Sequence, residues 1–210
     1  MSRVVHIIDY GIGNLLSVAR AIEKAGGEAR LTRDAGEIAA ADRLLLPGVG
    51  AFEACMGQLS HYHLVDPVMA FAAGNRPFMG ICVGMQMLMD HSLEFGSHQG
   101  LGIVPGHVAA IPADSRKVPH IGWSALQVPA MRDCWQDTVL ADAQPGVSSA
   151  YFLHSFACVP VDAADRLADA DYDGFAICAA IQRENVIGFQ CHPEKSGPTG
   201  LRILERFLDL

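Results

Sequence analysis

The sequence predicts a single-domain α/β fold, with a central, mostly parallel sheet flanked by helices and with an antiparallel extension. Up to about residue 100, short apolar runs alternate with helix-like segments, which is typical of parallel strands joined by helices. Beyond that point the apolar runs follow one another with few helices between them, which favours antiparallel pairing. The chain has 210 residues, half of them hydrophobic, enough for one sizeable core. We therefore predict one domain over residues 1–210.

Each element of the first half has a local signal. The apolar run at residues 4–8 is typical of a buried parallel strand. The helical spacing that begins at Leu15 ends at Gly26 and Gly27, which are helix stop signals. In chain order, such signals predict strands at 4–8, 44–46 and 77–80, loops at 9–14 and 47–50, and helices at 15–25, 52–59 and 67–73.

The second half reads as short strands and one closing helix. Pro198 suits the first turn of that helix, since proline is tolerated there. The apolar runs predict strands within residues 102–112, 125–128, 151–159 and 175–190, and the closing helix is predicted at 198–210.

Composition argues against several function classes. A formal net charge of −8 disfavours a dedicated nucleic-acid binder, which usually presents a basic face. No apolar run reaches the roughly 18 residues that cross a membrane, and Asp9 interrupts the first run too early for a signal peptide. The six cysteines form no CxxC pair, so free thiols in a reducing cytoplasm are expected.

The most informative segment is GICVGMQ at residues 80–86, which follows a predicted strand and precedes a helix-like stretch. Glycines stand two residues on each side of Cys82, as in a nucleophile elbow with cysteine in place of serine. Small neighbours are needed because the turn is tight. The sulfur then lies at a helix N-terminus, where the helix dipole favours a thiolate.

A thiolate needs a base, and the base needs a group that orients it. An apolar, strand-like run ends at His192, because Pro193 cannot continue a ladder. Glu194 can fold back onto the imidazole, fix its tautomer and stabilise its charged form. Cys82, His192 and Glu194 are therefore predicted to form a catalytic triad.

Other motifs have simpler interpretations. Gly11 and Gly13 lack the third glycine of a dinucleotide loop, since Leu16 occupies its place. His61 and His63 have no further ligands in view, so a surface segment is expected and no metal site. The remaining five cysteines are expected to be packing residues.

Three segments together resemble the class I (triad) glutamine amidotransferases, which have a flavodoxin-like fold: LPGVG at 46–50, GICVGMQ at 80–86 and QCHPEKS at 190–196. Within that class, three more segments resemble the glutaminase subunits of imidazole glycerol phosphate synthases: DYGIGN at 9–14, PHIGW at 119–123 and YFLHS at 151–155. The resemblance runs nearly end to end.

The resemblance implies hydrolysis of glutamine to glutamate and ammonia through a glutamyl thioester on Cys82, without cofactor or metal. The backbone N–H of Val83 and the loop that holds Val49 and Gly50 are the implied oxyanion donors, and in this family the loop rearranges to present the Val49 N–H. The glutamine pocket carried over from the family comprises Gly50, Gln86, Glu94, Ser155 and Phe156. Glu94 would meet the substrate α-ammonium, and the last two would act through backbone groups.

The resemblance also implies a partner. The family passes ammonia to a (β/α)₈-barrel synthase subunit that makes imidazole glycerol phosphate and an aminoimidazole carboxamide ribonucleotide in histidine biosynthesis. Trp123, Tyr151 and Lys195 match positions of the docking face. The chain departs from the family pattern at Cys191, where an aromatic residue is usual, at Ser124 for asparagine and at Phe156 for tyrosine. These departures leave the triad intact.

Three alternatives stay open at this point. Another class I amidotransferase, such as the glutaminase partner of a pyridoxal phosphate synthase, would use the same triad with a different acceptor. A catalytically silent α/β regulatory protein could retain the elbow cysteine. A cysteine peptidase would need an open groove instead of a closed pocket.

Overall fold

The computed structural model describes residues 3–113 and 117–210. Residues 1, 2 and 114–116, which belong to the predicted domain 1–210, lie outside the described residues. In chain order the elements are β1 (Val4–Ile8), α1 (Leu15–Lys24), β2 (Glu28–Thr32), α2 (Ala35–Ala40), β3 (Leu44–Gly48), α3 (Phe52–His61), α4 (Val65–Ala72), β4 (Phe78–Cys82), α5 (Val83–Gln86), β5 (His91–Ser92), β6 (His98–Gln99), β7 (Gly106–Ala110), β8 (His120–Gln127), β9 (Ser149–His154), β10 (Phe156–Pro160), β11 (Arg166–Tyr172), β12 (Phe175–Arg183), β13 (Val186–Phe189) and α6 (Gly197–Asp209).

The main sheet has nine strands in the order β2-β1-β3-β4-β13-β12-β11-β8-β9. Its first five strands run parallel. The last four continue the sheet by antiparallel pairing. This is the predicted parallel sheet with an antiparallel extension, so the predicted fold class is confirmed.

A second, four-stranded sheet has the order β10-β7-β5-β6. The predicted strand region at 151–159 falls in two different sheets: β9 belongs to the large sheet and β10 to the small one, and only Ser155 separates them. The sequence did not indicate a change of sheet here, because the residues on both sides of His154 and Ser155 have strand character.

Sequence patterns missed three elements of the large sheet and its surroundings. Strand β2 is mostly exposed at the sheet edge and has no apolar run. Helix α2 has six residues and begins where the Asp34 side chain accepts a hydrogen bond from the Glu37 N–H. Strand β11 alternates small and acidic residues. Strand β8 was predicted too short: it starts at His120, where the sequence suggested Ala125.

The strands that lead into the site are completely buried. Every residue of β3, β4 and β13 is buried. Strand β13 pairs with β4 from Val186 opposite Phe78 to Phe189 opposite Ile81, in parallel. Both strands therefore end at the same edge, and the residues that follow them meet there.

Candidate active site

Cys82 is the last residue of β4, and Val83 opens the short helix α5. Cys82 has φ 55° and ψ −115°, a conformation that a residue with a side chain seldom adopts. The side chain is buried with 4% of the residue exposed. A strained turn that lifts one thiol out of a buried strand is the geometry of a nucleophile elbow, as the sequence predicted.

Glycines make this turn possible because backbone packs against backbone around it. A Cβ on Gly84 would stand 1.9 Å from the Leu46 carbonyl oxygen, and one on Gly80 would stand 2.7 Å from the Gly84 carbonyl oxygen. A Cβ on Gly48 would lie 2.5 Å from the Gly84 nitrogen. No side chain fits at these distances, so β3 and the elbow are held in one arrangement.

His192 and Glu194 come from the segment after β13. Pro193–Lys195 forms a 3₁₀ turn, which brings Glu194 Oε1 to 2.9 Å from His192 Nδ1. Both side chains are almost fully buried. The backbone N–H of His192 donates a hydrogen bond to the Tyr151 carbonyl oxygen at 2.9 Å, which connects the turn to β9.

The electrostatics favour a charged imidazole at His192. Burial acts to lower the pKa of His192, but hydrogen bonds to Cys82 and Glu194, together with the negative charge of both partners, outweigh it and raise the pKa to about 9. Imidazolium is the form that stabilises a neighbouring thiolate. The structure thus brings together the three residues of the predicted triad, with the carboxylate on Nδ1 and the Cys82 thiol close enough to the ring to raise its pKa.

A cavity of about 540 Å³ opens in front of Cys82. Most of the predicted site residues line it, namely Val49, Gly50, Cys82, Val83, Gln86, Glu94, Ser155, Phe156, His192 and Lys195. Four further lining residues were missed: Phe95, Pro119, Leu153 and His154. Three of the four lie within the motifs PHIGW and YFLHS, which was the available signal, whereas nothing in the sequence singled out Phe95.

A row of amide groups connects the cavity wall to the nucleophile. Gln86 Nε2 donates to the Phe156 carbonyl oxygen at 2.9 Å and to Gln190 Oε1 at 3.0 Å. Gln190 Nε2 in turn lies 3.8 Å from Cys82 Sγ. Gln190 is fully buried and was not predicted as a site residue. Its signal is its place at the start of the motif QCHPEKS.

The segment from Pro47 to Phe52, which carries the lining residues Val49 and Gly50, forms a second wall of the cavity and is held at three points. The Tyr10 hydroxyl donates to the Pro47 carbonyl oxygen at 2.6 Å, and the Cys55 thiol lies 3.4 Å from the Val49 carbonyl oxygen. At the far end, Glu94 Oε2 accepts from the Phe52 N–H at 2.6 Å. Glu94, predicted to meet a substrate ammonium, thus also anchors the loop.

Between these anchors the loop is open. Val49 is 36% exposed, and Gly50 has φ +90° with no atom within 4 Å of a Cβ built there. The Val49 carbonyl points at Cys55, so the N–H of the same trans peptide, on Gly50, points away from it. Only glycine adopts this φ without strain.

The predicted docking residues lie at the rim. Trp123 on β8 is 58% exposed and meets Tyr151 on β9 edge to face, with ring centroids 6.1 Å apart. Lys195 lines the cavity itself. Exposed Ile121 and Leu153 pair across the same two strands, so the rim carries an apolar patch beside the cavity mouth.

Within residues 3–113 and 117–210, no three His, Cys, Asp or Glu side chains are grouped so as to hold a metal ion. In the same ranges, none of the helices has the length and hydropathy that spanning a bilayer requires.

Comparison with known sequences gives consistent results. The family model described as glutamine amidotransferase class-I matches residues 6–210. Imidazole glycerol phosphate synthase subunit HisH 1 of Legionella pneumophila (strain Lens) is 47% identical over 211 residues, covering 98% of this chain and 99% of the relative. Subunit HisH of Syntrophotalea carbinolica is 46% identical over 213 residues, covering 99% and 100%.

Solved structures share the fold at low sequence identity. A structure described as PurLQS from Thermotoga maritima superposes with a TM-score of 0.75 at 19% identity, covering 100% of this chain and 99% of the other. A second, described as a glutamine amidotransferase, gives a TM-score of 0.73 at 16% identity, covering 98% and 99%.

Proposed function

The chain belongs to the class I glutamine amidotransferases, and from that premise we propose that it is the glutaminase subunit of an imidazole glycerol phosphate synthase in histidine biosynthesis. The single observation that carries the proposal is the pairing of Cys82 with His192 and Glu194 at the floor of a cavity. Near-full-length relatives that carry the subunit name support the choice within the family.

The Cys82 thiolate attacks the side-chain carbonyl of glutamine, and a carbon–sulfur bond forms as the carbonyl becomes a tetrahedral oxyanion. His192, charged at neutral pH, gives its proton to the leaving nitrogen, and ammonia departs. Neutral His192 then takes a proton from water, whose oxygen attacks the glutamyl thioester. Collapse of the second tetrahedral intermediate releases glutamate and restores Cys82. Glu194 keeps the ring in the tautomer that performs both steps.

The oxyanion needs donors placed where its charge develops. The N–H of Val83 is one, because Val83 is the first residue of α5 and follows the nucleophile directly. The loop wall supplies the second, through Val49 or Gly50. Losing one such donor typically costs about 2.7–4 kcal/mol in transition-state stabilisation, so the orientation of the open loop governs activity.

Recognition of free glutamine rests on Glu94 and Gln86, with Gly50 and the Ser155–Phe156 backbone shaping the cavity. The Glu94 carboxylate takes the α-ammonium. Because the same carboxylate anchors Phe52, substrate binding and loop position are linked. A pocket lined by one acidic side chain, placed to meet an α-ammonium group, suits a free amino acid.

Ammonia must reach its acceptor without loss to water. A (β/α)₈-barrel synthase subunit docked on the rim at Trp123, Tyr151 and Lys195 accomplishes this, with the apolar patch as the contact. The working unit is thus a heterodimer whose glutaminase part is one domain over residues 1–210. We place it in the cytoplasm, without nucleic-acid or membrane partners.

The test is a co-purification with the barrel subunit of the same organism, followed by measurement of glutamate release with and without the barrel's ribonucleotide ligand. We expect a complex, stimulated release, and no release by Cys82→Ala. Recovery with an unrelated synthase would contradict the histidine-pathway assignment. Equal release by the parent and Cys82→Ala would contradict the mechanism.

A further inference from the structure

Two buried histidines, His154, which lines the cavity, and its neighbour His120, take no part in the chemistry above. His120 Nδ1 lies 3.1 Å from His154 Nε2. The outer nitrogens also have partners: His154 Nδ1 lies 2.9 Å from the Phe156 carbonyl oxygen, and His120 Nε2 lies 2.9 Å from Ser124 Oγ. The two rings therefore form a continuous hydrogen-bonded row from β8 to the first residue of β10.

All the hydrogen bonds of this row donate in the same direction, because the row ends on a carbonyl oxygen, which can only accept a hydrogen bond. The Phe156 carbonyl requires a hydrogen on His154 Nδ1. Burial, together with repulsion from the positive charges that His120 and His192 can carry, lowers the pKa of His154 to about 4 despite that bond. Burial also lowers the pKa of His120, against the charge of Asp173.

Two neutral rings then leave one assignment of hydrogens. His154 Nε2 carries none and accepts from His120 Nδ1–H, so His120 Nε2 accepts from the Ser124 hydroxyl. All four ring nitrogens are used, which leaves none to exchange a proton with the substrate. These rings cannot serve as acid or base without breaking the row.

The ring of His120 is also fixed by packing. It stacks between Phe152, at 4.8 Å and 17° between planes, and Tyr172, at 4.1 Å and 28°. A neutral ring held on both faces and at both nitrogens has one available position.

The Phe156 carbonyl is where this row meets the site. It accepts from His154 Nδ1 and from Gln86 Nε2, so both lone pairs are used. Gln86 continues to Gln190, and Gln190 to Cys82. The direction of this carbonyl therefore sets where the Gln86 amide stands in the cavity.

We propose that His120 and His154 are a positioning pair that holds the Phe156 carbonyl and, through it, the Gln86 amide in the orientation that the glutamine pocket requires. This inference rests on the proposed function, since it concerns the pocket for that substrate. Because the pair acts on binding and exchanges no proton, its loss raises KM for glutamine more than it lowers kcat.

The test compares two substitutions of His154 in the full chain bound to the barrel subunit and its ligand. His154→Asn places an amide N–H near the former Nδ1 and keeps the donor to Phe156, whereas His154→Leu removes it. We expect KM for glutamine to rise about 10-fold in the leucine variant, with kcat within about 3-fold, and to stay within about 3-fold of the parent in the asparagine variant. Equal KM values in both variants would overturn the proposal.

A second measurement needs neither turnover nor a variant that might not fold. In ¹⁵N-histidine NMR spectra of the parent at pH 7, His120 and His154 should both be neutral Nδ1–H tautomers. An Nε2–H tautomer or an imidazolium at His154 would overturn the proposal, whether or not the protein is a glutaminase. Correct tautomers in a protein without glutaminase activity would refute the proposed function alone.

Discussion

The two walls of the cavity are held in opposite ways. The elbow wall is fixed by backbone contacts so close that Gly80 and Gly84 have no room for a Cβ. The loop wall is held by three hydrogen bonds, from Tyr10, from Cys55 and to Glu94, and it is open at Val49 and Gly50. Cys82 and the proposed Val83 N–H donor thus stand on the rigid side, and the proposed second oxyanion donor stands on the adjustable side.

The largest effect is expected at the nucleophile itself. Cys82→Ala should lower glutamate release roughly 10⁴-fold or more, since the residues of a triad act as a unit. Cys82→Gly should be equally inactive but more stable than Cys82→Ala by about 1 kcal/mol, because glycine tolerates φ 55° without strain. Chemical denaturation compares the two. A less stable glycine variant would show that the elbow is not strained.

The next comparison sets one glycine of each wall against the other. Gly84→Ala should destabilise the fold by about 4 kcal/mol or prevent folding, since its Cβ would overlap the Leu46 carbonyl. Gly50→Ala meets no atom and should lose only about 1 kcal/mol for its positive φ. Thermal unfolding of both variants measures the loss of stability. Similar losses in the two variants would show that the two walls do not differ in rigidity.

On the rigid side, Glu194→Gln should lower kcat about 10²-fold, because the ring loses the partner that orients it and stabilises its charge. The pKa of His192 should fall below its parent value of about 9. An NMR titration of His192 accompanies the kinetics, and the His192→Gln variant serves as an inactive control. An unchanged pKa of His192 would contradict the assigned contact.

The same residue gives a pH dependence of stability. Because folding raises the pKa of His192 from its ordinary value near 6.5 to about 9, its contribution is fully present below pH 6.5 and is lost as pH rises toward 9. The difference in free energy of unfolding between the parent and His192→Gln should therefore shrink across this range. A difference that grows with pH would mean that the ring is neutral in the folded protein.

The smallest expected effect concerns the adjustable wall. Cys55→Ala removes the thiol that holds the Val49 carbonyl, so the loop should rearrange more readily. We expect the unstimulated glutaminase rate to rise about 3-fold, equivalent to about 0.6 kcal/mol. Cys55→Ser, which keeps a donor, should return it toward the parent rate. A fall in rate on losing the thiol would show that the anchored loop is already the active form.

The three triad candidates, which the structure brings together, could be predicted because they lie in two contiguous segments, where the glycines around Cys82 and the proline after His192 have local causes. The sequence did not single out Tyr10 and Gln190 as supporting residues, since their partners Pro47 and Cys82 are distant in the chain. In the fold, the buried parallel strands were evident from apolar runs, whereas the exposed edge strand β2 had no comparable signal.

Ser155, the one residue between β9 and β10, joins two sheets that otherwise have separate strand ladders. Its carbonyl also accepts the Ile111 N–H, which brings the end of β7 to the same point. A ligand bound against Ser155 and Phe156 would therefore contact both sheets and stabilise them together. Amide hydrogen–deuterium exchange should then slow on saturation with glutamine in the small sheet as well as in the large one, since opening either would first have to release the ligand.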